Sequence, residues 1–231
     1  MQLTIFGASG PTGRLAVQQA IEQGHRVRAV TRRPASFPLD AVDIEVVEGD
    51  VEDAGSVERA VSGAGAVIST YGVPFSRSRI TVYSEGAARI LAAMQRQGVG
   101  RLVCVTSETV PEEPSPGDSR LTRLMLHGFL RRVVGRTLYD DMQRMEELVR
   151  ASPLDWTIVR PGGLVDQSDP DHDYMVSTER LPGHVTRRAD LAHLLVREAA
   201  GPGHPREAIE VISRGASTSI RTVVREIRGN R

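Results

Sequence analysis

Lysine is absent from all 231 residues, so every one of the 29 basic side chains is an arginine. Arginine stays protonated in proteins, which excludes a Schiff-base amine and a lysine-type proton relay. The single cysteine, Cys104, rules out an internal disulfide and any cysteine-cluster metal site. Lying in Arg101-Leu102-Val103-Cys104-Val105, it reads as a packed strand residue rather than a nucleophile. Neither sign of charge is in excess, since 29 acidic residues balance the arginines. The whole-molecule field therefore gives no reason to expect a nucleic-acid or anionic-membrane partner. No run approaches the ~18 apolar residues of a spanning helix. The first strand signal begins at the second residue, which leaves no room for a signal peptide and makes a cytosolic location the expectation. His25, His172, His184, His193 and His204 are scattered without metal-ligand spacing, so no metal is expected and none of them is given a role.

What is present is organised around Gly7-Ala8-Ser9-Gly10-Pro11-Thr12-Gly13, between an apolar strand at Leu3 to Phe6 and a helical pattern that starts near Thr12. A strand, a glycine turn and a helix N-terminus together leave backbone N–H groups unpaired at the positive end of a helix dipole, an anion site suited to a pyrophosphate. Gly7 allows the tight turn, Gly10 removes a Cβ from the path of the phosphates, and Gly13 lets the helix close on the strand.

Beyond this turn, strand and helix signals alternate along the chain, the pattern of a doubly wound parallel α/β sheet of Rossmann type with helices on both faces. Strands are expected at Val27 to Thr31, Ile44 to Val47, Ala66 to Thr70, Leu102 to Val105, Trp156 to Val159 (stopped by Pro161) and Ala208 to Ile212. Helices are expected at 53–62, over the Tyr83 to Met94 stripe ending at Gly98, at 139–151 and at 189–199, with a terminal amphipathic helix carrying Ile220, Val223, Val224 and Ile227. One domain, 1–231, is the expectation, with a substrate-covering insertion around 108–138.

Ligands of such sheets bind at the carboxyl ends of the strands, where strand order reverses. After the second strand come Thr31-Arg32-Arg33, where an acid would hold a ribose 2′-hydroxyl; two guanidinium groups would instead grip a 2′-phosphate, so NADP(H) is favoured over NAD. The alternative is a solvated basic turn before Pro34. Asp50, after the third strand, could accept from an adenine amino group or serve as a cap or turn residue. Tyr71-Gly72 follow the fourth strand, Thr106-Ser107 the fifth and Arg160-Pro161-Gly162-Gly163 the sixth.

These residues resemble the atypical short-chain dehydrogenase/reductases, the NAD(P)H-binding group that includes NmrA-like proteins. The likeness rests on Gly7-x-x-Gly10-x-x-Gly13, Gly49-Asp50-Val51, Val105-Thr106-Ser107, Asp155-Trp156-Thr157-Ile158-Val159-Arg160-Pro161-Gly162 and Arg188-Ala189-Asp190-Leu191-Ala192, and covers about residues 1–200. Tyr83-Ser84-Glu85-Gly86-Ala87 and Asp140-Asp141 make the chain look most like the biliverdin-IXβ reductase and flavin reductase type. The resemblance implies that Ser9, Gly10, Pro11, Thr12 and Gly13 bind the pyrophosphate, Arg32 and Arg33 the 2′-phosphate, Asp50 and Val51 the adenine, and Ser107 and Pro161 the nicotinamide end.

The chemistry departs from that family's usual pattern. A Tyr-x-x-x-Lys pair lets lysine lower the tyrosine pKa for acid catalysis; here the corresponding stretch is Tyr139-x-x-x-Gln143. Tyr139 is then a catalytic candidate with a high pKa, or simply a residue at a helix start. Ser107 remains as a hydrogen-bond donor to a substrate carbonyl or imine. From Arg120 to Arg136 there are five arginines and no acid, interleaved with Leu121, Leu124, Met125, Leu126, Phe129, Leu130, Val133 and Val134. This basic amphipathic stretch, with His127 in reach of substrate, reads as a pocket cover suited to a flat, acidic or phosphorylated ligand, as a solvated surface helix, or as a membrane-surface or dimer contact. Three functions remain: an NADPH-dependent reductase of a flavin, quinone or tetrapyrrole-like molecule, an NmrA-like redox sensor without turnover, or a biosynthetic enzyme for epimerisation or dehydration. A small-molecule substrate and a monomer or homodimer are expected.

Overall fold

The computed structural model describes residues 1–217 other than 40, 77, 112 and 168–170, without the side chains of 126–128, 133 and 134. The terminal helix expected around Ile220 to Ile227 and the side chain of His127 therefore lie outside the described residues.

Short β-branched runs alternate with amphipathic helices in the order β1 (Gln2–Phe6), α1 (Pro11–Glu22), β2 (Arg26–Thr31), β3 (Ile44–Glu48), α2 (Ala54–Val61), β4 (Ala66–Ser69), α3 (Val82–Gln97) and β5 (Arg101–Val105). There follow α4 (Arg120–Arg123), which runs into a π-helical stretch over Leu124–Val134, then α5 (Arg136–Ala151), β6 (Asp155–Pro161), β7 (Gly163–Val165), β8 (Tyr174–Ser177), β9 (Val185–Arg187), α6 (Arg188–Ala200) and β10 (Glu207–Ser213). One sheet has the order β3-β2-β1-β4-β5-β6-β10-β8, and β7 and β9 form a separate parallel pair. Every ladder of the large sheet is parallel except β10 with β8. The fold is the expected doubly wound one, with an antiparallel strand added at one edge.

Both faces of the sheet are buried, so its central strands are apolar on both sides. In β1, Leu3 and Ile5 face the core shared with Ala16 and Val17 of α1 and Leu191, Leu194 and Leu195 of α6. Phe6 faces the other core, with Val57 of α2, Ile90 and Met94 of α3 and Met142 and Met145 of α5. Thr4 shares the Phe6 side and stays satisfied by donating its hydroxyl to Ala60 O at 3.0 Å. Cys104 is fully buried in β5, and burial pushes its thiol up, as fits a packed strand residue.

Three expectations need correction. Pro161 does not stop β6 but is its last residue; it pairs only with Val211 of β10, because β5 already ends opposite Val159, so its missing N–H removes no bond on that side. Strands β7, β8 and β9 were not foreseen. The arginine-rich stretch is not one α-helix, and Leu121, Leu124, Met125 and Phe129 are 68%, 66%, 52% and 50% exposed rather than packed as the wall of a pocket. Leu130, by contrast, packs against the second core, and Arg131 is buried.

Helix α3 starts without a cap of its own, since the Thr81 side chain accepts nothing. The buried Asp141 of α5 supplies it from outside, accepting from Tyr83 N–H at 2.8 Å, Ser84 N–H at 3.4 Å and the Ser84 hydroxyl at 2.5 Å. The orphan N–H groups of one helix are thus satisfied by a carboxylate from its neighbour. Asp141→Ala leaves these donors buried and unpaired and should cost about 2–4 kcal/mol in urea unfolding, with Asp141→Asn recovering part of the loss.

Candidate functional site

The carboxyl ends of β1 and β4 meet where the strand order reverses. Gly7 leaves β1 at φ +78°, and a Cβ there would lie 2.5 Å from the Tyr71 backbone nitrogen. Gly10 is the N-cap of α1 in extended conformation; it has no side chain with which to cap the helix, and Pro11 follows at the first turn. A Cβ on Gly13 would lie 2.1 Å from Gly7 O, so α1 can close on the turn only with glycine there. Ser9 Oγ and Thr31 Oγ1 share a hydrogen bond of 2.5 Å that ties the turn to the end of β2, while Thr12 is buried beneath it.

Just beyond Thr31, Arg32 and Arg33 are exposed, and neither guanidinium meets an acidic side chain among the described residues. Asp50 uses one carboxylate oxygen in its own turn, accepting from Glu52 N–H at 3.0 Å, and the cap of α2 is instead Asp53. Val51 is buried against α3. The Tyr71 ring stacks on Tyr83 at 6.0 Å and its hydroxyl donates to Tyr83 O, so only its backbone and that of exposed Gly72 face the strand ends.

On the other side of the reversal, α5 holds the ends of β5 and β6. Buried Glu146 accepts from Thr106 Oγ1 at 2.8 Å and from Arg160 Nε at 2.9 Å, with a second bond from the same guanidinium. Thr106 is therefore occupied as a pin, and Pro161 O accepts from Glu108 N–H at 3.0 Å. Ser107 lies half-buried between them and accepts from Thr109 N–H. Tyr139 stands one turn into α5, not at its start, and its phenol is buried near the side chains of Thr109 and Ser107. Burial pushes this phenol up to about 12; Glu108 adds to the rise, and the neighbouring Thr109, Arg131 and Ser107 side chains oppose it.

His184, given no role from sequence, sits beside this group. Its Nδ1 meets buried Glu108 Oε1 at 3.2 Å and its Nε2 meets Asp118 Oδ1 at 2.7 Å. The hydrogen bond with Glu108 is the main reason its pKa rises to about 9, against the opposing effect of burial. Arg180 bonds Glu108 O, Ser115 Oγ and Glu210, which ties Glu108 and Ser115 to β10. The one sequence signal for this arrangement is Gly162, where a Cβ would lie 2.5 Å from His184 C. His172, His193 and His204 bond Asp190, Tyr174 and Glu198.

A family model described as NAD(P)H-binding matches residues 7–202. The chain belongs to this NAD(P)H-binding family. Its fold is shared with a wide-type short-chain dehydrogenase/reductase from Veillonella parvula, solved in complex with NADP (TM-score 0.75, 20% identity, covering 93% of this chain and 95% of that one). It is likewise shared with an anaerobilin reductase from Escherichia coli O157:H7 (TM-score 0.72, 22% identity, covering 95% and 100%). Among curated proteins, an uncharacterised Mycobacterium tuberculosis protein is 35% identical over 112 residues; the match takes in 48% of this chain and spans only 12% of that protein's length. No helix among the described residues of this NAD(P)H-binding family member is long and apolar enough to cross a membrane.

Because the folded pKa of His184 lies above the ordinary 6.5, the stability it lends is full below about pH 6.5 and is lost as the pH climbs through about 9. Urea unfolding at pH 6.5 and above pH 9 should differ by about 1–2 kcal/mol from this group, and His184→Gln should flatten that difference.

Proposed function

We propose that this chain is an NADPH-dependent oxidoreductase that reduces a conjugated small molecule of the flavin, quinone or tetrapyrrole kind. The observation that carries the reading is the placement of half-buried Ser107 near buried Tyr139, at the same end of the sheet as the Gly7–Gly13 turn. The residues present fit a dinucleotide: a Cβ would fill the cradle at Gly7 and Gly13, and the first turn of α1 has no side-chain cap. Ser9, Gly10, Pro11, Thr12 and Gly13 would hold the pyrophosphate, Arg32 and Arg33 the 2′-phosphate, Asp50, Val51 and the Tyr71-Gly72 backbone the adenosine side, and Thr106, Ser107 and Pro161 the floor under the nicotinamide. The bound dinucleotide supplies a hydride. Ser107 and Tyr139 orient the acceptor and donate hydrogen bonds to it, and residues 108–138 cover the pocket of what is a single domain, 1–231. A cytosolic protein is the corresponding expectation.

A sensor without turnover is the second reading. It is favoured by the exposed stripe Leu121, Leu124, Met125 and Phe129, which offers a surface to a protein partner.

NADPH oxidation with a panel of flavins, quinones and biliverdins, after NADPH binding is established by fluorescence, separates the two. Turnover with any acceptor supports the reductase, and tight binding without turnover moves the weight to the sensor. Arg32→Asp should weaken NADPH binding about 10–100-fold and NADH binding little, the worth of a charge-assisted hydrogen bond; equal losses would refute the NADPH preference. Ser107→Ala should lower turnover roughly tenfold with NADPH affinity unchanged.

A further inference from the structure

The missing lysine of the Tyr139-x-x-x-Gln143 stretch leaves a question of what stabilises a phenolate at Tyr139. Arg131, on the π-helical stretch ahead of α5, lies with its guanidinium carbon 5.6 Å from the centre of the Tyr139 ring. Two residues of α5 hold it there: Asp140 accepts from Nη1 at 2.8 Å and Gln143 accepts from Nη2 at 3.3 Å. Gln143 stands where the lysine would, so it acts as a bracket for a cation delivered from outside the helix.

Arg131 is 5% exposed, whereas its carboxylate partner Asp140 is 40% exposed and also faces Arg136 at 3.7 Å. The buried cation is thus only partly neutralised by a solvated, shared anion. Its Nε is buried with no hydrogen-bond partner, so this part of the guanidinium is not neutralised by an acceptor. The other groups around Tyr139 are Phe75, whose ring is 6.1 Å away, the hydroxyls of Ser107 and Thr109, and Glu108 from the β5 end. Glu108 is the charge that opposes a phenolate, and its carboxylate is itself held by His184.

We propose that Arg131 is the positioning residue that stabilises the Tyr139 phenolate, in the place of the absent lysine, so that Tyr139 can donate its proton during reduction. The inference rests on the reductase reading for its use of that proton. In the step, the Tyr139 Oη proton passes to the acceptor atom that gains electron density, while the hydride and its electron pair arrive from the reduced nicotinamide. The phenolate left behind faces Arg131, and a solvent proton restores the phenol.

The test is the ionisation of Tyr139 itself. The protein is labelled with fluorotyrosine, which ionises lower than tyrosine, and is titrated by 19F NMR; Tyr139→Phe assigns the resonance among the four tyrosines. Arg131→Met should raise the midpoint by about one pH unit, the effect of one charge at this range in a dielectric between those of water and a protein surface. Arg131→Lys should restore most of it. A midpoint that Arg131→Met leaves unchanged overturns the proposal. Should that variant not fold, Arg131→Gln and Arg131→Lys carry the comparison, with a raised midpoint expected only for glutamine; equal midpoints overturn the proposal. The titration needs neither NADPH nor turnover, so a failure of the reductase reading shows in the oxidation assay alone.

Discussion

The approach of α1 to its own turn is the constraint on which the rest depends. Gly13 packs where any Cβ would stand 2.1 Å from Gly7 O, and Gly7 itself takes a positive φ with the Tyr71 backbone against it. These contacts fix where α1 begins relative to β1 and β4. They also keep side chains out of the space before the helix N-terminus, so the first N–H groups of α1 face outward without a cap. Ser9 and Thr31 then register the turn against β2, which sets Arg32 and Arg33 beside it. A strand-to-helix connection made for close packing in this way also leaves N–H groups of the kind that suit an anion.

Helix α5 imposes order on the opposite side of the strand reversal, and it does so with buried carboxylates. Asp141 caps α3, and Glu146 ties Thr106 to Arg160 across the ends of β5 and β6. Tyr139 stands on the same helix, two residues ahead of Asp141. A buried charge is costly unless paired and hydrogen-bonded, and each of these acids has its partners. The helix that carries the phenol is therefore located from both directions, and Ser107 is brought to it by the same pins that hold the strand ends.

Much of this was legible in the sequence, for identifiable reasons. The core strands and helices α1, α3 and α5 are long or apolar enough for their periodicity to stand out, and the glycine spacing marks the turn because only glycine fits it. What was not legible depends on chain segments far apart in sequence. Strands β7 to β9 have three or four residues each, too few to show a period. Pro161 looked like a strand stop because the end of β5 opposite Val159 cannot be read from a single strand. The amphipathic pattern of 120–136 left a pocket cover, a solvated surface helix and a membrane or dimer contact open; Leu121, Leu124, Met125 and Phe129 are exposed, while Leu130 and Arg131 pack where the stretch meets α5. His184 had no local signature at all; its neighbours Glu108 and Asp118 lie 76 and 66 residues away.

The absence of lysine shapes the proton chemistry of the site as much as its charge. Arg160 and Arg180 bind acceptors near the strand ends and Arg131 binds Asp140 and Gln143 of α5, and none of the three can release a proton. The groups that can are Tyr139, raised to about 12, and His184, raised to about 9. At neutral pH the phenol and the imidazole both hold their protons. Both of these described groups beside Ser107 are therefore proton donors at neutral pH. In the proposed reductase, such donors suit an acceptor that gains a hydride and needs a proton. His184 also bears on the donor indirectly: its positive charge offsets Glu108, the one acid that disfavours the Tyr139 phenolate. As the pH climbs through about 9 that offset is lost, and the burden of stabilising a phenolate shifts to Arg131.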